Sequence, residues 1–416
     1  MTAYDVDPFK GSESGMGWNF AFHIAQTEQV LLVTRKNNKA NIDLWVSQNK
    51  DKFASSQLQI SYFDLPAGVL WLKNGARFWA IYYYFWQFFL ALTYRKEIKN
   101  SSIAHALNFH SDIFPSFLWM FNSNFFWGPI NHHEKTPSDQ LVLFEGYLGL
   151  FKDRVRWFLK WLNWRFNLLL LVCQWKSKTV FCGSSAVLKR WTGPRKGTNF
   201  IDLSSVGITR DFMSNINSKD NDKAGSNFTF LSVGRFVSMK SFELTILAYK
   251  EFLEINHNVT NTRLVLIGSG PNIESMNTCI QKIAIPNAVE VVSWVNFDEI
   301  CVHFSKADVF VFPSHEGAGM VVAEALAAGL PILCLNNNGP SEIAKKACVS
   351  VDYQSFETAK RLLANEMTKL YRDKSHLVNL SNQAKEEASR YFWDIKAKVI
   401  VDQYRNSFPL EDIVKR

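Results

Sequence analysis

Short apolar runs recur through the second half of the chain, each bounded by polar or glycine-containing stretches. Phe228–Val233, Arg263–Ile267, Val289–Val292, Val309–Phe312 and Pro331–Leu335 suit buried strands and are too short for core helices. Between them, Phe242–Glu254 and Phe297–Ser305 carry apolar residues at helical spacing. A further helix is expected from Gly319 through Ala328, stopped by Gly329 and Pro331. Strands alternating with helices predict a doubly wound α/β sheet, whose ligand crevice lies outside the carboxyl ends of the strands.

The first half repeats the pattern less cleanly. Gly11–Trp18 reads as a glycine-rich turn, Asn19–Gln26 as a helix and Gln29–Thr34 as a buried strand. Only the weakly apolar Met1–Asp7 precedes that turn, so a first strand is either very short or partly missing. Ser102–His110 predicts a strand ending in a polar loop, and Phe125–Ile130 the next strand and turn. Asn215–Asn227, rich in Asn, Ser, Asp, Lys and Gly, has little to bury and reads as a linker. With 416 residues, two domains are expected: 1–210, a linker at 211–227, and 228–388, with 389–416 as a closing helix packing back toward the first domain.

Two aromatic stretches modify this picture. Phe78–Tyr94 is 17 residues long, the lower edge for a spanning helix, but its Tyr and Trp residues and central Gln87 suit an interface better. A helix packed on the sheet with one side near lipid is the expectation. Phe151–Lys178 interleaves Arg154, Arg156, Lys160 and Arg165 with Trp157, Phe158, Trp161, Trp164 and Phe166, the composition of an in-plane helix on anionic lipid. The alternative is a bridging helix with a solvated basic face. The net charge of +8 is concentrated here, since residues 151–200 hold eleven Lys or Arg and one acid, +10, leaving −2 for the rest. Six cysteines without Cys-x-x-Cys spacing argue against a disulfide framework or zinc site. The first residues have neither the basic region nor the apolar stretch of a signal peptide, and a cytosolic protein is expected.

The chemistry centres on Val309–Pro331. A strand, a glycine turn and a helix start make an anion site, because unpaired N–H groups and the helix dipole converge there. Glu316 precedes that helix and Glu324 lies inside it. Carboxylates beside an anion site need hydroxyls to face, so the pattern points to a ligand with both phosphate and sugar. Glu324 among Val321, Val322, Ala323, Ala325 and Leu326 also needs a partner, because a lone buried carboxylate is costly.

Val233–Lys240, Gly268–Pro271, Pro313–Glu316, Glu324–Pro331, Gly339–Glu342 and Tyr391–Trp393 stand in the order and spacing of a known family. The chain resembles the retaining nucleotide-sugar glycosyltransferases of family four. That resemblance implies the GT-B architecture, two Rossmann-like doubly wound domains facing a central cleft. The first half is similar to a branch seen in bacterial surface-polysaccharide synthesis, through Gly11–Trp18, Pro115–Trp119 and Trp127–Pro129, and departs from it at Ile130–Glu134, where the branch has glycines.

The resemblance implies a hexosyltransferase moving a sugar from a UDP- or GDP-linked donor to a lipid-linked or oligosaccharide acceptor, with no metal required. Arg235 and Lys240 would clamp the diphosphate, Glu316 would bind the donor sugar, and Glu324 the ribose. The amides of Gly319, Met320 and Val321 would contact phosphate, Gly15 and Gly17 would admit the opposing backbone, and Gly268, Trp294 and Ser314 complete the donor set. Either His105 or His110 would lie beside the reacting sugar. The leaving phosphate would take the acceptor's proton, so no glycosidase-type carboxylate pair is needed. His132 and His133 read as acceptor-loop residues, and Asp220-Asn-Asp222 receives no role. The expected location is the inner face of the cytoplasmic membrane, held through 151–178, in lipopolysaccharide or related synthesis. A non-hydrolysing nucleotide-sugar epimerase and a non-catalytic nucleotide-sugar-binding membrane scaffold are the alternatives. No recognised nucleic-acid module appears.

Overall fold

The computed structural model describes residues 1–73, 79–107, 112–190, 197–217, 227–283, 285, 287–293 and 295–408. The chain forms two compact units. One comprises Met1–His132, Phe158–Ser205 and Trp393–Arg416; the other comprises His133–Trp157 and Val206–Phe392.

In the first unit the strands are β1 (Val30–Thr34), β2 (Leu58–Tyr62), β3 (Ala104–Ala106), β4 (Phe125–Ile130), β5 (Thr179–Cys182) and β6 (Asn199–Asp202). β2 and β1 pair in parallel, as do β3, β4, β5 and β6 in that order. Thr2 makes parallel bridges to both Val33 of β1 and Ala106 of β3, so the chain start fills the gap between the two pieces. It does so through the bonds Thr2 N–H to His105 O and Ala3 N–H to Val33 O. All six residues of β4 are buried, as expected of a parallel strand covered on both faces.

The second unit holds β7 (Phe228–Val233), β8 (Thr262–Ile267), β9 (Val289–Val292), β10 (Val309–Phe312), β11 (Ile332–Leu335) and β12 (Cys348–Val351). They form one parallel sheet in the order β12-β11-β10-β7-β8-β9. Strand alternation divides the core in two. Phe310, Phe312, Ile332 and Cys334 point to one face with Phe304, Val322 and Leu326. Val309, Val311, Leu333 and Leu335 point to the other with Phe242, Phe252 and Leu363. This is the doubly wound α/β sheet that the apolar runs predict.

Three local expectations change. The Gly11–Trp18 stretch is not a loop, because the helix Ser12–Ile24 begins inside it and buries Gly15 and Gly17. Gly15 is required by its neighbour, since an added Cβ would lie 2.1 Å from the Lys10 carbonyl oxygen. Within the expected linker, Arg210–Asn217 is a helix whose Phe212 and Ile216 enter the second unit's core. The rest of that stretch, with Asp220 and Asp222, lies outside the described residues. Finally, residues 133–157 group with the second unit, although the sequence pattern carries no sign of it.

The aromatic stretches are helices. Trp79–Thr93 buries Tyr82, Tyr83, Trp86 and Leu90 and leaves Ile81, Phe85 and Phe89 exposed, a stripe at i, i+4 and i+8. Tyr82 donates to Asp64 (2.7 Å) and Trp86 to the Phe63 carbonyl (2.9 Å), which fixes the buried face. Ser138–Phe166 is broken at Gly146, whose φ of 69° is left-handed. Leu168–Lys176 follows, capped by the Asn167 side chain. Phe158, Trp161, Phe166, Leu168 and Trp175 are all at least half exposed. Among the described residues, no helix is long and apolar enough to cross a membrane.

Candidate functional site

In the second unit, the carboxyl ends of β7, β8, β10 and β11 bring the candidate residues together. β7 leads into Gly234, whose φ of 152° lets the chain turn, and then into Arg235. Gly268, after β8, packs so closely that an added Cβ would lie 1.9 Å from the Gly234 carbonyl oxygen. The glycines at 234 and 268 therefore fit two adjacent strand ends together. Ser238–Lys240 is a single 3-10 turn, and Lys240 reaches back under Phe312, its Nζ 5.0 Å from the ring centroid.

β10 ends at Phe312, and Ser314 is fully buried. The Ser314 hydroxyl accepts from the Glu316 N–H (3.1 Å), while its carbonyl accepts from Asn337 Nδ2 (2.7 Å). Those bonds hold Glu316 so that its Oε2 lies 3.0 Å from Lys240 Nζ, in a largely buried ion pair. Gly339 is required beside it, because an added Cβ would lie 1.8 Å from the Glu316 carbonyl oxygen.

The helix Met320–Ala327 starts at Gly319 with no side-chain cap. The amides of Gly319, Met320 and Val321 donate to no partner among the described residues. Glu324 sits one turn in. Its residue is only part-buried by area, yet its carboxyl is packed among protein atoms, and desolvation pushes it up to about 7 against a smaller pull from Lys240. It accepts no hydrogen bond among the described residues. Arg235 is exposed and has no ion pair among them. The site thus gathers an idle cation, an idle carboxyl, three idle amides and one internal ion pair. Lys240 is engaged with Glu316 rather than standing free.

Two features were not legible. Gln140, from the broken helix, donates to the Ser238 carbonyl (2.7 Å) and the Ser241 hydroxyl (2.9 Å), on either side of Lys240. Its Oε1 meets His315 Nε2 at 3.3 Å, next to Glu316. Burial lowers His315 to about 4, so the ring is neutral and Nε2–H is the donor. One amide therefore ties the Lys240 turn to the Glu316 loop. Close by, His133 Nδ1 accepts from the Gly317 N–H (3.1 Å), and the Glu134 N–H donates to the His315 carbonyl (3.1 Å). Neither histidine spacing nor periodicity signals these bonds.

In the first unit, His105 is buried in β3. Its Nε2 lies 2.8 Å from the Gly128 carbonyl, which only accepts, so Nε2 carries the hydrogen and Nδ1 accepts from the Tyr404 hydroxyl. Burial lowers its pKa to about 3. That geometry joins β3, β4 and the closing helix Trp393–Asn406, a structural task. His110 and Trp294 lie outside the described residues. Gly15 and Gly17 sit in the first turns of a helix, as described above.

Comparison with known proteins bears on this arrangement. Residues 213–387 match the family of glycosyl transferases, group 1. The matched segment contains Arg235, Lys240, Glu316 and Glu324. Similar proteins include a GDP-mannose-dependent alpha-(1-6)-phosphatidylinositol monomannoside mannosyltransferase of Mycobacterium tuberculosis, 26% identical over 194 residues, 44% of this chain and 49% of that one. The lipopolysaccharide core biosynthesis glycosyltransferase LpsD of Rhizobium meliloti is 33% identical over 115 residues, 27% of this chain and 31% of LpsD. The chain thus spans about half the length, or less, of these curated relatives. Among solved structures, WaaG, a glycosyltransferase involved in lipopolysaccharide biosynthesis, gives a TM-score of 0.59 at 15% identity over 97% of this chain and 98% of its own. Anabaena Alr3699/HepE in complex with UDP and glucose gives 0.59 at 12% identity over 98% and 100%. These likenesses show the fold: two Rossmann-like α/β domains with parallel sheets, as in GT-B glycosyltransferases.

Proposed function

We propose that the chain is a retaining glycosyltransferase that moves a hexose from a nucleoside diphosphate donor to a lipid-linked oligosaccharide acceptor in surface-polysaccharide synthesis. The observation that carries this reading is the set of idle polar groups in the group 1 segment. Among the described residues, Arg235, the Glu324 carboxyl and the amides of Gly319, Met320 and Val321 have no partner, and they lie on the same strand ends and helix start as the Lys240–Glu316 pair. A nucleotide sugar supplies what each lacks. Its diphosphate answers Arg235 and the helix start, and its ribose hydroxyls answer Glu324. A phosphate arriving at Lys240 would free Glu316 for the hydroxyls of the donor sugar. Fixed cations and amides then stabilise the charge that grows on the departing diphosphate, which is where electrostatic catalysis acts.

Peripheral attachment to the inner face of the cytoplasmic membrane belongs to the same proposal. Exposed Phe158, Trp161, Phe166, Leu168 and Trp175, with Arg165 and Lys176 among them, match an anionic lipid surface. A panel of UDP- and GDP-sugars, offered with membrane extract as acceptor source and read by mass, tests the reading. Transfer from one donor is expected. Glu316→Ala should abolish it while nucleotide binding stays measurable; retained turnover would refute the role given to Glu316.

A further inference from the structure

Outside the donor-side groups, charge also gathers at the ends of β3, β4 and β5. Asp112 follows β3, His132 follows β4, and Arg190 closes the short helix Ser185–Arg190 after β5. The Arg190 guanidinium stacks on Trp164, its Cζ 3.2 Å from the ring centroid. One terminal nitrogen pairs with Asp112 Oδ2 and the other lies 2.6 Å from the His132 ring. His132 packs edge-on against the same Trp164, centroids 5.4 Å apart. Lys160 adds a weak electrostatic pull on the Asp112 carboxyl.

This cluster is costly if its purpose is only to hold loops. The Asp112 side chain is 5% exposed and that of Arg190 18%, so both charges are largely desolvated, and such pairs seldom add net stability. Arg190 also keeps donors in reserve, since a guanidinium has five N–H groups and its Nε makes no hydrogen bond among the described residues. A stacked, immobilised guanidinium with a spare donor and part of its side chain exposed is organised for a forked oxyanion. Trp164 also links this point to the apolar face of its own helix, where Phe158, Trp161 and Phe166 are exposed.

We propose that Arg190, His132 and Trp164 form a binding site for a phosphate group carried on a lipid. The anion meets Arg190 and His132, while the acyl or isoprenoid chain lies along Phe158, Trp161 and Phe166. Asp112 holds Arg190 in place and makes no contact with the ligand. The proposal deepens the glycosyltransferase reading by naming the acceptor as a phosphate-bearing lipid, and it rests on that reading only for the word acceptor.

The test compares sedimentation with phosphatidylcholine vesicles containing or lacking phosphatidic acid. The wild-type chain should prefer the phosphatidic acid vesicles. The double variant Asp112→Asn/Arg190→Gln removes the pair at constant net charge and should lose that preference by about tenfold. Lys374→Gln, which removes an exposed charge in the second unit, should keep most of it. Inorganic phosphate that competes away the preference would identify the free anion as sufficient; failure to compete would require the phosphate on its lipid. If the double variant does not fold, Arg190→Lys serves, since it keeps the charge and loses the fork, and a reduced preference is again expected. Undiminished preference in whichever variant folds overturns the site. Nucleotide binding measured on the same samples separates the two ideas, because its absence from the wild type would sink the transferase reading while leaving the vesicle result intact.

Discussion

The two units use the same parallel-sheet logic and leave different things unsatisfied. In the second, the strand ends hold polar groups without partners among the described residues: Arg235, the Glu324 carboxyl and three amides at the start of Met320–Ala327. Its most exposed large apolar side chains, among them Leu143, Tyr147, Leu148 and Phe151, lie on the 133–157 segment, away from those strand ends in sequence. In the first, the charges at strand ends are largely turned on one another, as in Asp112–Arg190, and what is left uncovered is apolar, including Ile81, Phe85, Phe89, Trp161 and Phe166. Unmet polar groups ask for a polar, water-soluble ligand, and unmet aromatic surface asks for lipid. This contrast is the packing argument behind the proposed donor site in the one unit and the proposed lipid-facing surface in the other.

The largest effect should come from breaking the polar side of the contrast. Lys240→Ala removes a cation and leaves Glu316 unpaired, and transfer should fall by about 10²–10³ in kcat/KM, as for other lost charge-stabilising groups. Steady-state kinetics with the identified donor decides this, and a loss under tenfold would mean the pair is structural. Gly339→Ala comes next. Its Cβ would displace the Glu316 carbonyl, costing about 2–4 kcal/mol, measurable as a lower urea midpoint together with lost activity.

Glu324 offers a sharper test through pH. Its folded pKa lies above the unfolded value, so the stability tied to its neutral form is fully present below about 4.5 and is lost as pH rises through about 7. Unfolding of the nucleotide-free protein should therefore become easier by about 1–3 kcal/mol across that window. Glu324→Gln should remove this slope and raise stability at pH 8 while weakening nucleotide binding. A slope that survives the substitution places the titration elsewhere. The smallest change in stability is expected on the apolar side. Phe85→Ser/Phe89→Ser should alter unfolding by no more than about 0.5 kcal/mol, because both rings are exposed, yet reduce retention on anionic vesicles. Unchanged retention would remove the Trp79–Thr93 stripe from the membrane face.

What the residues disclosed in advance follows from range. β7 to β11 and the start of Met320–Ala327 were legible because strand alternation, glycine turns and helix stops act over a few residues. Gly11–Trp18 misled because glycine marks close approach as well as turns, and at Gly15 the close approach is to the Lys10 carbonyl. His105 kept its role hidden because its partner Tyr404 is 299 residues away, and Gln140 because its partners lie about a hundred residues on. Local pattern reports local geometry. Asp112 and Arg190, 78 residues apart, are the same kind of omission.

Residues 133–157 belong to the second unit while the chain on both sides of them belongs to the first. The polypeptide passes from one unit to the other four times, after residues 132, 157, 205 and 392. A single cut therefore yields no self-sufficient half. A fragment of 206–392 would lack Gln140 for Ser238 and Ser241, and Asp139 for the Phe356 N–H and the Tyr353 hydroxyl. By the same reasoning, a chimera joined once near residue 206 would combine one parent's donor loops with the other parent's Gln140 brace. Exchanging donor specificity between such proteins by recombination thus requires carrying a second, distant insert of some twenty-five residues along with the obvious one.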